Sequence, residues 1–560
     1  AILAATDQAV ADGVDLLNLS LSGGSRDPWA SPDGRALLAA AGAGALVVAS
    51  AGNGGPGAGT IGAPGNAPWA ISTGNVSHAS VLDASSARGP DRSAPGLLKP
   101  DLVAPGVDIL AAGADVNPAA PDFLQLSGTS MAAAQVSGLG ALLRQIHPDW
   151  SPAEIRSAMV MTGGATRTPD GEAAGPFAQG GGRITPGAAA LAGFVLDVGA
   201  EAYAAADPAM GGDPATLNLP ALIDPGCAGG CVFTRTLRST LGVTVTWEIA
   251  GEGDGFTIAA QPPGPLALGP GATATITFTV AVTEPRPGAT AFGRVRLTAR
   301  DGLAPTATLP VAIALEPSNL PDEIALRVRG RAGSQAIALR AMAIDGLTVT
   351  ASGLGRLQAE QVSLDADPTP GDRGDLAAGG IYQRVVRLPA GNVRFRAQVD
   401  QATADELDLV VYVDREGPGA GRLGPEDTVL CERAGPDSAR PCDIVAPNLL
   451  TGRAEPLEAT VLVQNVRGSG AARDSFRLLW GRADLGAGEG RLFASGPAAA
   501  PAGHPFELRL GWEAPGARDG DIYIGALSLG SSPERPGDLG SALVTLEIGV
   551  EQTFLPAIAR

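Results

Sequence analysis

The stretch Ser127-Gly128-Thr129-Ser130-Met131-Ala132 constrains this chain more than any other. A turn of small residues delivers Ser130 directly into an apolar helix, expected from Met131 to about Ile146, whose Ala and Gly positions let neighbouring segments approach closely. At a helix start the free backbone N–H groups and the positive dipole end favour a developing negative charge, which an acyl-transfer nucleophile and its oxyanion require. Serine is also a preferred helix cap. The six residues alone leave both readings open.

Two further motifs precede this one in a fixed order. Ala49-Ser50-Ala51-Gly52-Asn53-Gly54-Gly55 comes first, then Leu98-Lys99-Pro100-Asp101-Leu102-Val103-Ala104-Pro105-Gly106. Together the three resemble the subtilase family of serine endopeptidases, near its plant cucumisin-like branch, and His147-Pro148-Asp149-Trp150-Ser151-Pro152 is similar to that branch as well. The resemblance covers roughly residues 1 to 195. It implies that Ser130 is the nucleophile and that the Asn53 amide serves the oxyanion hole. It also implies that Ser20, Leu21, Ser22 and Gly23, with Ala49, Ser50, Ala51, Gly52 and Thr129, border the bound substrate and its specificity pocket. Without the other motifs, Asn53 reads as a turn residue between glycines.

A chain of 560 residues exceeds what one core organises, so several domains are expected. The 78 Gly and 46 Pro point to many turns and therefore to β-rich modules beside the helical part. A formal charge of −19 argues against a nucleic-acid or anionic-membrane surface, because phosphate binding is driven by Lys and Arg. Lys99 is the only lysine. No apolar run approaches the ~20 residues of a transmembrane helix, so no membrane span is expected.

The cysteines form two local pairs, Cys227 with Cys231 and Cys431 with Cys442. Their close spacing in turn-rich segments reads as two disulfides and an oxidising, secreted setting. The rival, a four-thiolate zinc site, meets pairs about 200 residues apart and without Cys-x-x-Cys spacing.

Along the chain, apolar runs at Val14–Leu21, Ala45–Ser50 and Trp69–Thr73 alternate with helical patterns at Ala1–Ala11 and Pro32–Gly42. That alternation predicts an α/β fold with a doubly wound parallel sheet, and the resemblance implies that it is a partial subtilisin-like catalytic domain over 1–195. Ligands bind beyond the carboxyl ends of strands in such sheets, where Ser20–Gly24 and Ala49–Asn53 fall. Ser151-Pro152-Ala153-Glu154 is a capping box that starts a helix through about Met161. Two-residue alternation then predicts several all-β sandwich domains. The expected boundaries are a fibronectin-III-like sandwich over 196–316, a sandwich like the pre-peptidase C-terminal type over 317–484, an Ig-like β segment over 485–549, and a tail over 550–560. The tail holds the apolar Thr553-Phe554-Leu555-Pro556, suited to docking or sorting. Asp405, Asp408, Asp414 and Glu416 are candidates for structural calcium, against the plainer reading of exposed carboxylates on a sandwich edge.

A serine nucleophile needs a base and a group that orients the base. Neither is evident: His78 lies in a polar loop, His147 precedes Pro148 at a helix end, and His504 lies in the last β segment. Gln135 stands where the family resemblance leads one to expect a structural histidine. The simplest expectation is a fragment of a secreted, monomeric serine endopeptidase that acts on proteins or peptides, needs no cofactor for its chemistry, and works with a missing N-terminal part. Two other readings stay open. One is a catalytically dead peptide-binding pseudoprotease; the other makes the β modules, for adhesion or substrate capture, the principal function.

Overall fold

The computed structural model describes residues 2–113, 123–370, 379–414, 423, 427–435, 440–445, 456–549 and 553–554. The chain divides into two compact units, Ala1–Pro317 and Ser318–Arg560.

The first unit is built on four strands, β1 (Leu16–Leu19), β2 (Leu46–Ser50), β3 (Ala70–Val76) and β4 (Leu102–Pro105), which pair in parallel in that order. Every residue of β2 and β3 is buried, as expected of parallel strands covered on both faces. Leu46 and Val48 turn to one side, into a core shared with α3 (Thr129–Ile146) and α4 (Pro152–Met161). Val47 and Ala49 turn to the other, toward Leu37 of α2 (Pro32–Gly42) and Tyr203. Helices thus cover both faces, as predicted, while the strand order runs straight through without the reversal implied by a doubly wound sheet. Gly140 lets α3 lie against the sheet, since a Cβ there would stand 2.5 Å from Leu46 Cδ2. Helix α1 (Ile2–Ala11) ends before Gly13, whose φ of 70° favours glycine.

Below the sheet lies a buried charge cluster. Lys99 Nζ donates to the carbonyls of Ala67 (2.7 Å) and Ala70 (2.8 Å) and to Asp101 Oδ2 (2.9 Å). Asp101 also accepts from the Ser72 N–H at 2.7 Å and pairs with the Arg156 guanidinium of α4. These bonds tie the segment before β3, β3, β4 and α4 together, so Lys99 and Asp101 brace the sheet.

Ser151 and Glu154 form the predicted capping box at α4, and Glu154 does more than cap: its Oε1 accepts from Arg238 Nε at 2.7 Å. Arg238 belongs to the strand Gly230–Ser239, which pairs with Phe194–Val195. The boundary at 195/196 therefore needs correction. Tyr203, Leu217 and Leu219 pack in the same core as Leu37 and Val47, so 196–219 completes the α/β part. From Leu222–Asp224 onward the chain forms a β-sandwich of a five-stranded and a four-stranded sheet, the latter taking Phe194–Val195 as its edge strand.

In the second unit, Glu323–Val328 pairs in parallel with Gly540–Ile548, and Ala332–Leu339 pairs with Phe506–Glu513. Segment 485–549 is accordingly half of one sheet whose other half is 318–357, not a separate Ig-like segment. The sandwich of two four-stranded sheets, from Gln358–Leu364 to Asp474–Asp484, is inserted between these halves. Both predicted disulfides are formed, Cys227–Cys231 and Cys431–Cys442. Of the tail, Thr553–Phe554 pairs with the outer edge of Glu323–Val328, and Leu555 and Pro556 lie outside the described residues. Asp408 is buried and accepts from the Gly435 N–H, Asp405 lies exposed near Arg467, and Glu416 lies outside the described residues. Among the described residues, the one group of three ligand-type side chains close enough for a metal is Asp224 with the disulfide-bonded Cys227 and Cys231.

Replacing Lys99 with Met removes a hydrogen bond from each of two buried carbonyls and takes one partner from Asp101. Urea unfolding of Lys99→Met at pH 7 should show a loss of about 2–4 kcal/mol. Burial also pushes the Lys99 ammonium down to about 8, against the pull of Asp101. Between that value and the 10.5 of a free lysine, the unfolded chain holds more protons than the folded one, so stability contributed by this group rises with pH. The urea midpoint of the wild type, relative to that of Lys99→Met, should therefore climb from pH 8 to pH 10; a flat difference would contradict the assignment.

Candidate active site

The site forms where three strand ends meet the start of α3. Ser20 follows β1, Asn53 follows β2, and Gly106 follows β4; all lie at carboxyl ends of parallel strands. Gly128, the residue before α3, has φ 151°, which favours glycine, and its N–H donates to the Gly106 carbonyl at 2.8 Å. A Cβ on Gly128 would stand 3.2 Å from Asn53 Nδ2, so no larger residue fits without moving that amide.

The first N–H groups of α3 are accounted for one by one. Thr129 N–H donates to Asn53 Oδ1 at 3.0 Å, and those of Met131 and Ala132 turn back to the Gly128 carbonyl. Ser130 N–H has no partner among the described residues. Thr129 Oγ1 also donates to Asn53 Oδ1 (2.9 Å) while accepting from the Gly52 N–H (3.3 Å). The Asn53 carbonyl is thus occupied twice, which fixes the amide so that Nδ2 faces away from Thr129. Nδ2 likewise has no partner among the described residues, and Asn53 is exposed. Two free donors, Ser130 N–H and Asn53 Nδ2, therefore flank the helix start, where the dipole adds positive potential.

Ser130 is half-buried, with its hydroxyl donating to the Ser20 carbonyl at 3.3 Å, while Ser20 Oγ donates back to the Ser130 carbonyl at 2.8 Å. Helix α3 starts at Thr129, two residues before the sequence-predicted Met131. Leu21, Ser22 and Gly23 are exposed beside the site, and the Leu21 carbonyl accepts from Ser50 Oγ at 2.9 Å. Ser22 Oγ lies between two glycines: a Cβ on Gly52 would stand 2.7 Å from it, and one on Gly62 2.1 Å. A cavity of about 260 Å³ lies against Leu21–Gly24, with Arg26, Ala63 and Asn66 in its wall.

Other residues expected at the substrate border have different placements. Ala49, Ser50 and Ala51 are buried within the sheet and its edge, and Gly52 is buried too, so their side chains pack instead of meeting solvent. Thr129 is fully buried, and its hydroxyl is spent on holding Asn53. Gln135 is exposed. Lys99, Gly106 and Gly128, which the sequence reading treated only as parts of motifs, are what hold the site in place.

Among the described residues no imidazole is hydrogen-bonded to the Ser130 hydroxyl. His147 closes the far end of α3, about 25 Å along an 18-residue helix, stacked on Trp150 (3.8 Å) with Nε2 2.9 Å from the Ala190 carbonyl. The His78 carbonyl accepts from Arg183, and His504 Nδ1 lies 3.2 Å from the Ala502 carbonyl. No described helix is long and apolar enough to cross a membrane.

Residues 1–182 match the family model described as the subtilase family, Peptidase S8. The subtilisin-like protease SBT3.6 of Arabidopsis thaliana is 48% identical over 128 residues, covering 21% of this chain and 16% of its own length. The subtilisin-like protease SBT1.7 of the same plant is 32% identical over 256 residues, covering 38% of this chain and 34% of its own. Among solved structures, sphericase aligns over 33% of this chain and 61% of its own, with 26% identity and a TM-score of 0.28. The chain therefore spans a sixth to a third of the length of these plant relatives, and the similarity to the subtilase family model lies within residues 1–182.

Proposed function

We propose that this chain belongs to a secreted serine endopeptidase in which Ser130 attacks a peptide carbonyl and forms an acyl-enzyme. The observation that carries the reading is the pair of unpartnered donors, Ser130 N–H and Asn53 Nδ2, beside a serine hydroxyl at the positive end of α3. A carbonyl carbon attacked by Ser130 Oγ turns its oxygen into an oxyanion, and two fixed donors stabilise that charge without reorganising. Leu21, Ser22 and Gly23 present an exposed segment along which a peptide substrate lies. Two disulfides fit an oxidising, extracellular setting. The reaction needs no cofactor, and structural calcium is not part of the reading.

The base is the missing part. The Ser130 hydroxyl donates to the Ser20 carbonyl and is bonded to no imidazole among the described residues, so we infer that the base and its orienting carboxylate are groups other than the chain's three histidines. Removing base and orienter from such a triad lowers turnover by about 10⁶-fold, a value that comes from subtilisin itself. The 560-residue chain alone should keep only the residual of about 10³–10⁴-fold over water that oxyanion donors and binding supply. A pseudoprotease that binds peptides without cutting them is the second reading, favoured by the donation of the Ser130 hydroxyl to the Ser20 carbonyl instead of to a base.

Chemical rescue separates these readings. With a fluorophosphonate probe, the chain should label slowly at Ser130, and added imidazole, acting as an external base, should raise the rate in proportion to its concentration. Labelling that maps elsewhere, or a rate indifferent to imidazole, would sink the peptidase reading. Asn53→Ala should lower the imidazole-supported rate by about 10²–10³-fold, the range for deleting one oxyanion donor in a subtilisin-type site. Thermal unfolding of that variant serves as the control for folding.

A further inference from the structure

The Ser20–Ser130 exchange is one end of a longer chain of hydrogen bonds. Ser137, two turns along α3 and on the same face as Ser130, donates its hydroxyl to Asn18 Oδ1 at 2.9 Å. Asn18 Nδ2 donates to Ser20 Oγ at 3.2 Å, and Ser20 Oγ donates to the Ser130 carbonyl at 2.8 Å. Asn18 and Ser20 are two residues apart on an extended backbone, so both face α3. Ser137 is buried, whereas Asn18 is exposed on the strand edge.

We propose that Asn18 and Ser137 are positioning residues that set the direction of this relay and thereby hold the first turn of α3, with Ser130, against the end of β1. This inference rests on the reading of Ser130 as the nucleophile. The relay has a defined polarity. An amide has one acceptor end and one donor end, and here its oxygen takes the Ser137 proton while its N–H faces Ser20. With its oxygen occupied as acceptor, Ser20 directs its own proton to the Ser130 carbonyl. Were Asn18 reversed, its carbonyl would draw that proton away, and the Ser130 carbonyl would lose its tether to β1. Ser130 Oγ and Ser130 N–H sit on the residue so tethered, so the relay fixes nucleophile and oxyanion donor together.

Asn18→Asp is the informative variant. At neutral pH the carboxylate still accepts from Ser137 but has no proton for Ser20. The imidazole-supported phosphonylation of Ser130 should then fall about 10-fold in its saturating rate, with the half-saturating probe concentration unchanged; a displacement near 1 Å can cost up to about 10²-fold. Ser137→Ala should lower the rate several-fold and Ser137→Thr, which keeps the hydroxyl, should restore it. Melting temperatures should stay within about 2 °C of wild type. Wild-type rates in both Asn18→Asp and Ser137→Ala would overturn the proposal, as would a rate loss that simply tracks a fall in melting temperature. Absence of labelling in the wild-type chain would overturn the nucleophile reading and this one with it, whereas labelled wild type with unchanged variants overturns this one alone.

Discussion

The double occupation of one oxygen, Asn53 Oδ1, is what the site depends on. Thr129 gives it two hydrogen bonds, one from the backbone and one from the hydroxyl, and Thr129 is itself buried. An amide that has spent its carbonyl in this way must turn its NH₂ outward. Gly128 is the necessary partner, because its φ and its lack of a Cβ let the backbone pass within contact distance of that NH₂. The free donor beside Ser130 is therefore a consequence of packing, set before any ligand arrives.

That arrangement holds only if the strand ends keep their relative positions. Ser20, Asn53 and Gly106 extend from three different strands, and each meets the start of α3 through a hydrogen bond. Behind them, Lys99 and Asp101 link the loop before β3, β3 and β4 to Arg156 of α4. Burying such a cluster costs desolvation that its mutual attraction offsets only with good geometry. What it supplies is a fixed spacing. A chain with one lysine has placed it where three acceptors converge and no solvent reaches. On the far side of α4, Glu154 caps the helix and pairs with Arg238, so the same helix is tied to the following sandwich.

Local pattern made much of this legible. Small-residue turns, helix caps and apolar runs gave α2 to the residue, α3 to within two residues, and the parallel strands β2 and β3. Ser130 and Asn53, 77 positions apart, were linked only by the family resemblance that three ordered motifs carry. What local pattern could not show was which atoms of those motifs are spent on each other. Thr129 reads as a substrate contact until its hydroxyl is seen bound to Asn53. Lys99 reads as one letter of a motif until Ala67 and Ala70 close over it. The division of the second unit was illegible for a related reason: the pairing of Glu323–Val328 with Gly540–Ile548 joins segments more than 200 residues apart, and a two-residue alternation carries no sign of its distant partner. Asn18 and Ser137 each look like a single polar residue in an apolar run, and only their contact gives them a role.

The most direct measurement is a crystal structure of the chain phosphonylated on Ser130. The account requires one phosphonyl oxygen to lie about 2.7–3.1 Å from both Asn53 Nδ2 and Ser130 N–H, the spacing of a working oxyanion site. An adduct whose oxygens turn to solvent or to the Ser20 side, leaving the Asn53 amide unengaged, would contradict it.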